Sequence, residues 1–548
     1  MIYKKVIDFI NESRNKDICF LDGEIDLVNL EEISKHSEKA IERIVKAVKN
    51  DEKILIFGHD DADGITGTFI LYDFLKQAYD KVDYYIPNRE IEHHGIYSNV
   101  INYAAKNGVN LFIAIDNGLS SIEGVVKLNK MEIDTIIIDH HIIPDIVPKA
   151  YSIVNPKLFT KIEKNDLYFK DNISLEMLAG AGVAYFFVFL LSQELKQAYF
   201  KKDYLFWAAI GTIADRVPLV SINRLIIRQL IHDWDISLAH PAIQYLLEKS
   251  RYLIHRHEKY DFLLNTVKLF YYGRQENGEH LCFSFLNSNK REDLENVYNE
   301  IISLQNNYNE VLQTNESYIN ENVIKIIDEQ MNYDRIQSID DRLYLFYYAQ
   351  KIISIVFYDD TNSLTYSILG TLANLLLNKY KCPIVMLIDK DENNLACEAR
   401  SIGDFNWISC FKSMAELFEN FGGHARAAGF LMKKTNFSAF IEQYHEYVEH
   451  NKQKDEYIAP NNFITFEYYD AVYEEIIELY NLFMPFGDAN PNPVFKILNP
   501  SILDEHRQIF INYEKVIESF NSPQYDAIEA IYIKYSKDCT KLNVINYE

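Results

Sequence analysis

The sequence predicts an α/β protein: a doubly wound, mainly parallel sheet linked by a long helix to a second, smaller α/β domain, with a short β-containing region at the C-terminal end. Three observations carry this. Short Ile- and Val-rich runs recur between Lys53 and Pro156, a second set starts near Arg342, and a stripe of residues three and four apart separates the two sets. The expected boundaries are an N-terminal helical extension at 1–50, a first α/β domain at 51–232, a helical connector at 233–340, a second α/β domain at 341–455 and a C-terminal region at 456–548.

In order along the chain, KILIF, VDYYIP, NLFIAID, DTIIID and YSIVNP read as buried parallel strands joined by crossover helices. Sheets of this kind bind ligands beyond the carboxyl ends of their strands. The polar residues fall there: GHDDADG follows KILIF, Asp116 closes NLFIAID, and Asp139-His140-His141 closes DTIIID. Leu178 to Leu191 and Tyr204 to Leu230 read as apolar helices, interrupted by GTIADRVPL, where Pro218 forces an irregular segment around Asp215. Leu294, Val297, Ile301, Leu304, Tyr308, Val311, Asn315 and Tyr318 predict one amphipathic helix over Glu292 to Met331. LYLFYY, KIISIVFYD, a helical ILGTLANLLLNKY and PIVMLID then form the second α/β set, before ACEARSIGDF and FGGHARAAGF. A turn at Gly422-Gly423-His424 is expected to expose backbone amides beside an imidazole. In the C-terminal region, KILNPSIL and AIYIKY are strand candidates.

Composition narrows the class of function. With 48% hydrophobic and 25% charged residues over 548 positions, the chain is an ordinary folded protein, not a disordered or fibrous one. Lys and Arg number 55 against 80 Asp and Glu, a net charge of −25, which excludes a protein that coats nucleic acid or anionic membrane with its whole surface. The six cysteines stand far apart, with no C-x-x-C pair, so neither a disulfide framework nor a thiolate zinc site is expected. A reducing, cytoplasmic setting fits. The longest apolar stretch, Val183 to Leu191, is nine residues, against the ~20 that span a bilayer, so no membrane role is expected.

The strand-end residues carry the chemistry. His59, Asp61 and Asp63 stand at i, i+2 and i+4, and if the chain stays extended their side chains leave on one face. Together with Asp116, Asp139, His140, His141 and Asp215 they form a carboxylate and imidazole set without sulfur, suited to Mn²⁺ or Mg²⁺, with Zn²⁺ as an alternative, rather than to soft metals. So many carboxylates in one cleft repel one another unless cations are bound. A pair of divalent ions bridged by one carboxylate would activate water near neutral pH and neutralise the oxygens of a phosphate under attack. Hydrolysis of a phosphodiester or phosphoanhydride is the expected reaction.

These residues resemble the DHH phosphoesterase superfamily, and more closely its RecJ-like single-strand exonuclease branch. The resemblance rests on GHDDADGITGT, AIDNG, Asp139-His140-His141 and GTIADRVPL as four ordered motifs, and on YYIPNREIEHHG, LAGAGVAY, GHARAAGF and PFGDANPNPVF. It implies a DHH catalytic domain and a DHH-associated substrate-binding domain, while the few residues after Phe495 leave the C-terminal region as a reduced oligonucleotide-binding barrel or another fold. It assigns His59, Asp61 and Asp116 to one metal and Asp63, Asp116, His140 and Asp215 to the other. It also places His141 against the scissile phosphate and makes Asp139 the acceptor that orients the histidine pair. Arg89, His94 and Gly95 would lie near the terminal phosphate, with Arg274, Arg400, Ser401, Gly422, Gly423 and His424 gripping substrate. Three positions depart from the bacterial pattern: His59 stands where aspartate is usual, FYYGR lacks an asparagine, and Asn374 stands where arginine is common.

The function implied is a divalent-metal-dependent exonuclease, with Mn²⁺ ahead of Mg²⁺. It would remove mononucleotides from single-stranded DNA, or RNA, from the 5′ end, in repair and recombination, through a groove between the two α/β domains. A monomer is expected, with a single-strand-binding protein or a helicase as partner. Two other readings stand beside it: a phosphodiesterase for short oligonucleotides or cyclic dinucleotides, and a non-catalytic replication scaffold. The scaffold would have lost metal ligands, and here all six are present.

Overall fold

In a computed structural model of the chain, the described residues are 30–88, 92, 95–158, 175–195, 199–233, 239–250, 256–275, 278–329, 337–339, 341–348, 351–402, 405–423, 425–451, 463–467, 483–487, 490, 494–498, 530–535 and 542–547. Arg89, His94 and His424 lie outside them. The chain divides into two units, Met1–Leu304 with Pro460–Glu548, and Gln305–Ala459.

The first unit opens with α1 (Glu31–Lys49), followed by β1 (Ile54–Phe57), α2 (Ala62–Ala78), β2 (Val82–Tyr85), α3 (Ser98–Lys106), β3 (Leu111–Ile115), α4 (Ile122–Lys130), β4 (Asp134–Ile138) and β5 (Ser152–Val154). The five strands form one sheet in the order β2-β1-β3-β4-β5, every neighbour pair parallel. Alternation along each strand feeds two cores. Ile54, Ile56, Ile113, Ile115, Ile136 and Ile138 face one, while Leu55, Phe57, Phe112, Ala114 and Ile137 face the other. With both faces covered, apolar side chains occupy both sides of each strand, which is why these runs read as continuous rather than alternating. Pairing of Phe57 with Ala114 and of Ile115 with Ile138 brings the carboxyl ends of β1, β3 and β4 level.

The helical part continues the first of these cores. It comprises α5 (Gly180–Glu194), α6 (Tyr204–Ala214), α7 (Ser221–Asp233), α8 (Pro241–Lys249), α9 (Arg256–Leu269) and α10 (Leu281–Asn287). The expected connector therefore begins too early: Ile243, Leu246, Leu263, Val267, Phe283 and Phe285 belong to the core that also holds the sheet. Likewise α1 is no extension, since Ile33, Ala40, Ile41 and Ile44 are buried in that core. Pattern reading separated these segments because apolar helices carry no mark of which core they join.

Next comes α11 (Arg291–Ile319), along which the chain passes from the first unit to the second. Its regular turns give way at Asn320–Ile324 to a wider π-helical turn, after which α12 (Lys325–Glu329) resumes. The stripe turns inward at Leu294, Ile301 and Asn315, whereas Leu304 and Val311 are exposed.

The second unit holds β6 (Gln337–Ile339), β7 (Leu343–Tyr348), β8 (Lys351–Asp359), α13 (Tyr366–Tyr380), β9 (Ile384–Asp389), β10 (Asn394–Arg400), α14 (Trp407–Ser413), β11 (Phe418–Gly423), β12 (Ala427–Lys433) and α15 (Phe437–His450). Its seven strands run β11-β12-β10-β9-β8-β7-β6, with β8 and β9 parallel and the other pairs antiparallel. A core against α13 uses Leu345, Ile355, Ile384 and Met386, and one against α14 and α15 uses Phe346, Val356, Val385, Trp407 and Phe440.

Beyond it, β13 (Phe463–Glu467), β14 (Val494–Leu498), β15 (Ala530–Tyr535) and β16 (Leu542–Tyr547) form a four-stranded sheet in sequence order. The pair β13 and β14 is parallel and the rest antiparallel. This region falls in the first unit. There Phe483 and Met484 are buried in the core, and the Phe483 carbonyl accepts a hydrogen bond from the buried Arg224 at 2.9 Å.

Candidate metal centre

The first ligand group sits in the link between β1 and α2. The chain does not stay extended there: Asp61 is the N-cap of α2, its Oδ1 accepting from the Gly64 amide at 3.0 Å, and Asp63 lies in the first helical turn. The expectation of alternating strand geometry for His59, Asp61 and Asp63 is thus corrected, because an Asp ahead of an Ala-Asp-Gly start caps a helix. The turn brings His59 Nδ1 to 2.9 Å from Asp61 Oδ2. Asp63 turns the other way and is buried. Its carboxylate accepts from the amides of Gly180 at 2.6 Å and Ala181 at 2.9 Å, at the N-terminus of α5, where orphan amides favour an anion.

Asp116 follows β3 with φ +59, in the left-handed region that Asp and Asn enter more readily than other side chains. Its amide donates to the Ile138 carbonyl at 2.9 Å, fastening it to the end of β4. Asp139 follows β4, and its Oδ1 accepts from the His140 amide at 2.7 Å, the His141 amide at 3.2 Å and His141 Nδ1 at 2.7 Å. One carboxylate oxygen therefore sets both the loop and the exposed imidazole. Asp215 arrives from the C-terminal end of α6, its amide donating to Gly211 at 2.9 Å.

These residues converge. Ligand atoms of His59, Asp61 and Asp116 lie within 4.8 Å of one another, as do those of Asp63, His140 and Asp215, and those of Asp116, Asp139, His140 and His141. The groups meet at His140 Nε2, which is 3.1 Å from Asp116 Oδ1, 3.5 Å from Asp215 Oδ2 and 3.8 Å from Asp63 Oδ2. Neither Asp116 Oδ1 nor His140 Nε2 makes a hydrogen bond to a described residue, although both are buried. Buried acceptors aimed at one another without donors are costly unless a cation or protons stand between them. The oxygen and nitrogen donor set fits a hard or borderline divalent ion such as Mn²⁺ or Mg²⁺.

The electrostatics follow from the same crowding. Burial, then the charges of Asp63, Asp61, Asp215 and Asp139, hold the Asp116 carboxyl well above the ordinary carboxylate range. Burial and the Asp61 charge push Asp63 up to about 7, against the two amides. Burial, Asp63 and Asp61 push Asp215 up to about 8. His140 is driven down to about 3 by burial and by His141 beside it, so its ring stays neutral, the form that ligates a metal. Burial would raise Asp139, but the bond from His141 and the neighbouring imidazoles outweigh it and hold that carboxyl low. The same pairing outweighs the effect of burial on His141 and holds its pKa above the usual value.

A pH dependence follows for the metal-free protein. Carboxyls whose folded pKa is raised contribute stability that is complete below ~4, the unfolded value, and lost as pH rises through the folded values of about 7 for Asp63 and about 8 for Asp215. Without divalent ions, the melting temperature is expected to fall by ~5 °C or more between pH 5.5 and 8.5, at ~2–4 °C per kcal/mol. Mn²⁺ should restore it, more at the higher pH. Calorimetry showing equal stability at both ends would remove the repulsion argument.

Three contributors were not anticipated. Asp60 is fully buried between His59 and Asp61, and its Oδ2 accepts from Arg274 Nε at 2.7 Å. Asn155, also buried, donates from Nδ2 to the His141 carbonyl at 3.0 Å and accepts from the Lys157 amide at 2.8 Å. Lys157 in turn donates to the His140 carbonyl, with its pKa lowered by burial. Asn155-Pro156-Lys157 follow the strand run YSIV, so the strand-end rule that found the aspartates could have found them. The Asp60 contact spans 214 positions and has no local signal.

The expected substrate residues are placed less simply. Gly95, at φ +83, packs against Ser121, whose hydroxyl accepts from the Ile96 amide at 2.9 Å. In the second unit Arg400 donates from Nη1 to Glu398 at 2.6 Å, and the buried Ser401 hydroxyl donates to the Phe405 carbonyl at 2.9 Å. Gly422 and Gly423 are not in a turn. They end β11, opposite Gly429 and Ala428 of β12, because the strand ladder continues two residues further than the glycines suggested. Arg274 is committed to Asp60, and donates from Nη1 to the Tyr271 carbonyl at 3.3 Å.

Residues 53–212 match the DHH family, N-terminal domain, and residues 349–450 match the DHHA1 domain. The single-stranded-DNA-specific exonuclease RecJ of Bacillus subtilis is 27% identical over 505 residues, covering 90% of this chain and 58% of that protein. RecJ of Haemophilus influenzae is 28% identical over 425 residues, covering 74% of this chain and 67% of that one. A crystal structure of RecJ from Thermus thermophilus in complex with Mn²⁺ shares the fold, with a TM-score of 0.69 at 18% identity over 99% of this chain and 76% of that one. The chain thus spans little more than half the length of its Bacillus relative. Among the described residues no helix is long and apolar enough to cross a membrane.

Proposed function

We propose that this chain, in which residues 53–212 match the DHH family and residues 349–450 the DHHA1 domain and which is homologous to the RecJ single-stranded-DNA-specific exonucleases, is a divalent-metal-dependent nuclease that degrades single-stranded DNA from an end. The observation that carries the reading is that Asp116 and His140 link the three groups, their facing atoms buried without hydrogen-bond donors. His59, Asp61 and Asp116 would hold one cation, and Asp63, Asp116, His140 and Asp215 a second, with Asp116 as bridge. When bound, two such ions would lower the pKa of a water toward neutrality and offset charge on the phosphate under in-line attack.

The chain's own groups supply the rest. Asp139 accepts a 2.7 Å hydrogen bond from His141 Nδ1, leaving Nε2 as the ring nitrogen that would meet the scissile phosphate. A positioned imidazole of this kind contributes ~10²–10⁴-fold by proton transfer. Asn155 and Lys157 brace the two histidine carbonyls, so the imidazoles are held from both sides of their backbone. The direction is taken as 5′ to 3′, with mononucleotide products.

A 5′-labelled single-stranded oligonucleotide incubated with Mn²⁺ is expected to release labelled mononucleotide from the start of the reaction. A blunt duplex of the same sequence should resist, and EDTA should stop release. Hydrolysis confined to dinucleotides, with the long strand intact, would overturn the assignment in favour of a short-oligonucleotide phosphodiesterase.

A further inference from the structure

Residues 273–275 and 278–281 form two short arms that run antiparallel. Arg274 and His280 pair as an isolated antiparallel bridge, and the Leu281 amide donates to the Gly273 carbonyl at 2.8 Å. Gly273 has φ +101, and a Cβ there would lie 2.9 Å from Leu281 Cβ, so only glycine makes this bend without strain. The Gly278 carbonyl accepts from the Ile86 amide at 2.9 Å, docking the second arm beside the end of β2. His280, in that second arm, is buried, its Nδ1 accepting from the Cys282 amide at 3.2 Å at the start of α10. The two arms are therefore fixed at three places, and the first delivers the Arg274 side chain to Asp60 at 2.7 Å.

Asp60 is the residue between His59 and Asp61, and it is fully buried. A buried carboxylate held by a guanidinium resists displacement, since breaking the pair leaves an uncompensated charge. Moving Asp60 necessarily moves the backbone on either side of it. We infer that the Asp60–Arg274 pair is a positioning device for the metal-binding loop: Arg274 acts through Asp60 to hold His59 and Asp61 in ligand geometry, rather than gripping the DNA backbone. This rests on the metal-dependent reading above and assigns Arg274 a role different from the substrate contact that its motif implied.

The test is Mn²⁺ affinity of the full chain, measured by titration calorimetry without DNA, alongside KM and kcat on a single-stranded oligonucleotide. Asp60→Asn and Arg274→Ala are each expected to weaken Mn²⁺ binding ~10-fold or more, the usual cost of losing a group that orients a metal ligand. Their effects should not add. The uncharged double variant Asp60→Asn/Arg274→Gln, which leaves no lone buried charge, should bind Mn²⁺ no more weakly than either single variant. It carries the test if a single variant fails to fold. Wild-type Mn²⁺ affinity in folded Arg274→Ala or in the double variant would overturn the inference, most plainly if KM for DNA rose instead. Because the affinity is read without DNA, a wild-type chain that binds Mn²⁺ yet leaves DNA intact would defeat the nuclease reading alone.

Discussion

Asp116→Asn is expected to lower the rate of phosphodiester hydrolysis ~10³-fold or more, while the metal-free protein melts at the same temperature or higher. The rate loss would come from removing the carboxylate proposed to bridge the two cations; loss of ~4 kcal/mol of charge stabilisation corresponds to a thousandfold. The stability gain has the opposite origin. Asp116 is buried among Asp61, Asp63, Asp139 and Asp215, whose charges, together with burial, oppose its ionisation. An amide of the same shape cannot take on the charge that burial and these neighbours oppose. Asparagine also tolerates φ +59, where alanine would add backbone strain to the result. Calorimetry with and without Mn²⁺ separates the two effects: the variant should lose most of the metal-induced rise in melting temperature. Wild-type activity would remove Asp116 as the bridge.

Gly211→Ala is expected to cost ~10²-fold in activity although the residue ligates nothing. Gly211 lies in α6 where that helix passes the buried carboxylate, and a Cβ there would stand 2.4 Å from Asp63 Oδ1, 2.6 Å from Ala181 Cβ and 2.9 Å from Thr66 Oγ1. Something must move. The Asp63 carboxylate can yield only by leaving the amides of Gly180 and Ala181, and a displacement near 1 Å at a reacting centre costs about two orders of magnitude. Overpacking adds ~1–3 kcal/mol of destabilisation. Helix propensity acts in the opposite direction, favouring Ala by ~1 kcal/mol, so a loss cannot be assigned to the helix itself. Mn²⁺ titration should show weakened binding in a folded variant; wild-type affinity and rate would show that the helices part more easily than their packing indicates.

The aspartates and histidines of the centre were legible because each stands at a place that local pattern identifies. His59, Asp116 and Asp139-His140-His141 follow Ile- and Val-rich strands, and parallel sheets put their chemistry at those ends. Asp215 stands beside a proline break between apolar helices. What local pattern misjudged is equally specific. The residues from His59 to Asp63 were read with strand periodicity, whereas Asp61 caps a helix and sends Asp63 toward α5. Gly422 and Gly423 were read as a turn and prove to be strand. The helices between Pro241 and Asn287 were read as a connector and prove to be core.

By itself, then, the sequence determined the parallel sheet, the order of its strands along the chain, and which carboxylates and imidazoles stand at their ends. Those depend on spacing and residue type within a few positions. Only the tertiary structure decided that Asp63 is held by the amides of Gly180 and Ala181, that Arg274 ties down Asp60, and that Asp116 and His140 face each other at 3.1 Å. Their charge states follow from those contacts, because repulsion and desolvation depend on separation and burial in space, which residues far apart in the chain acquire only on folding.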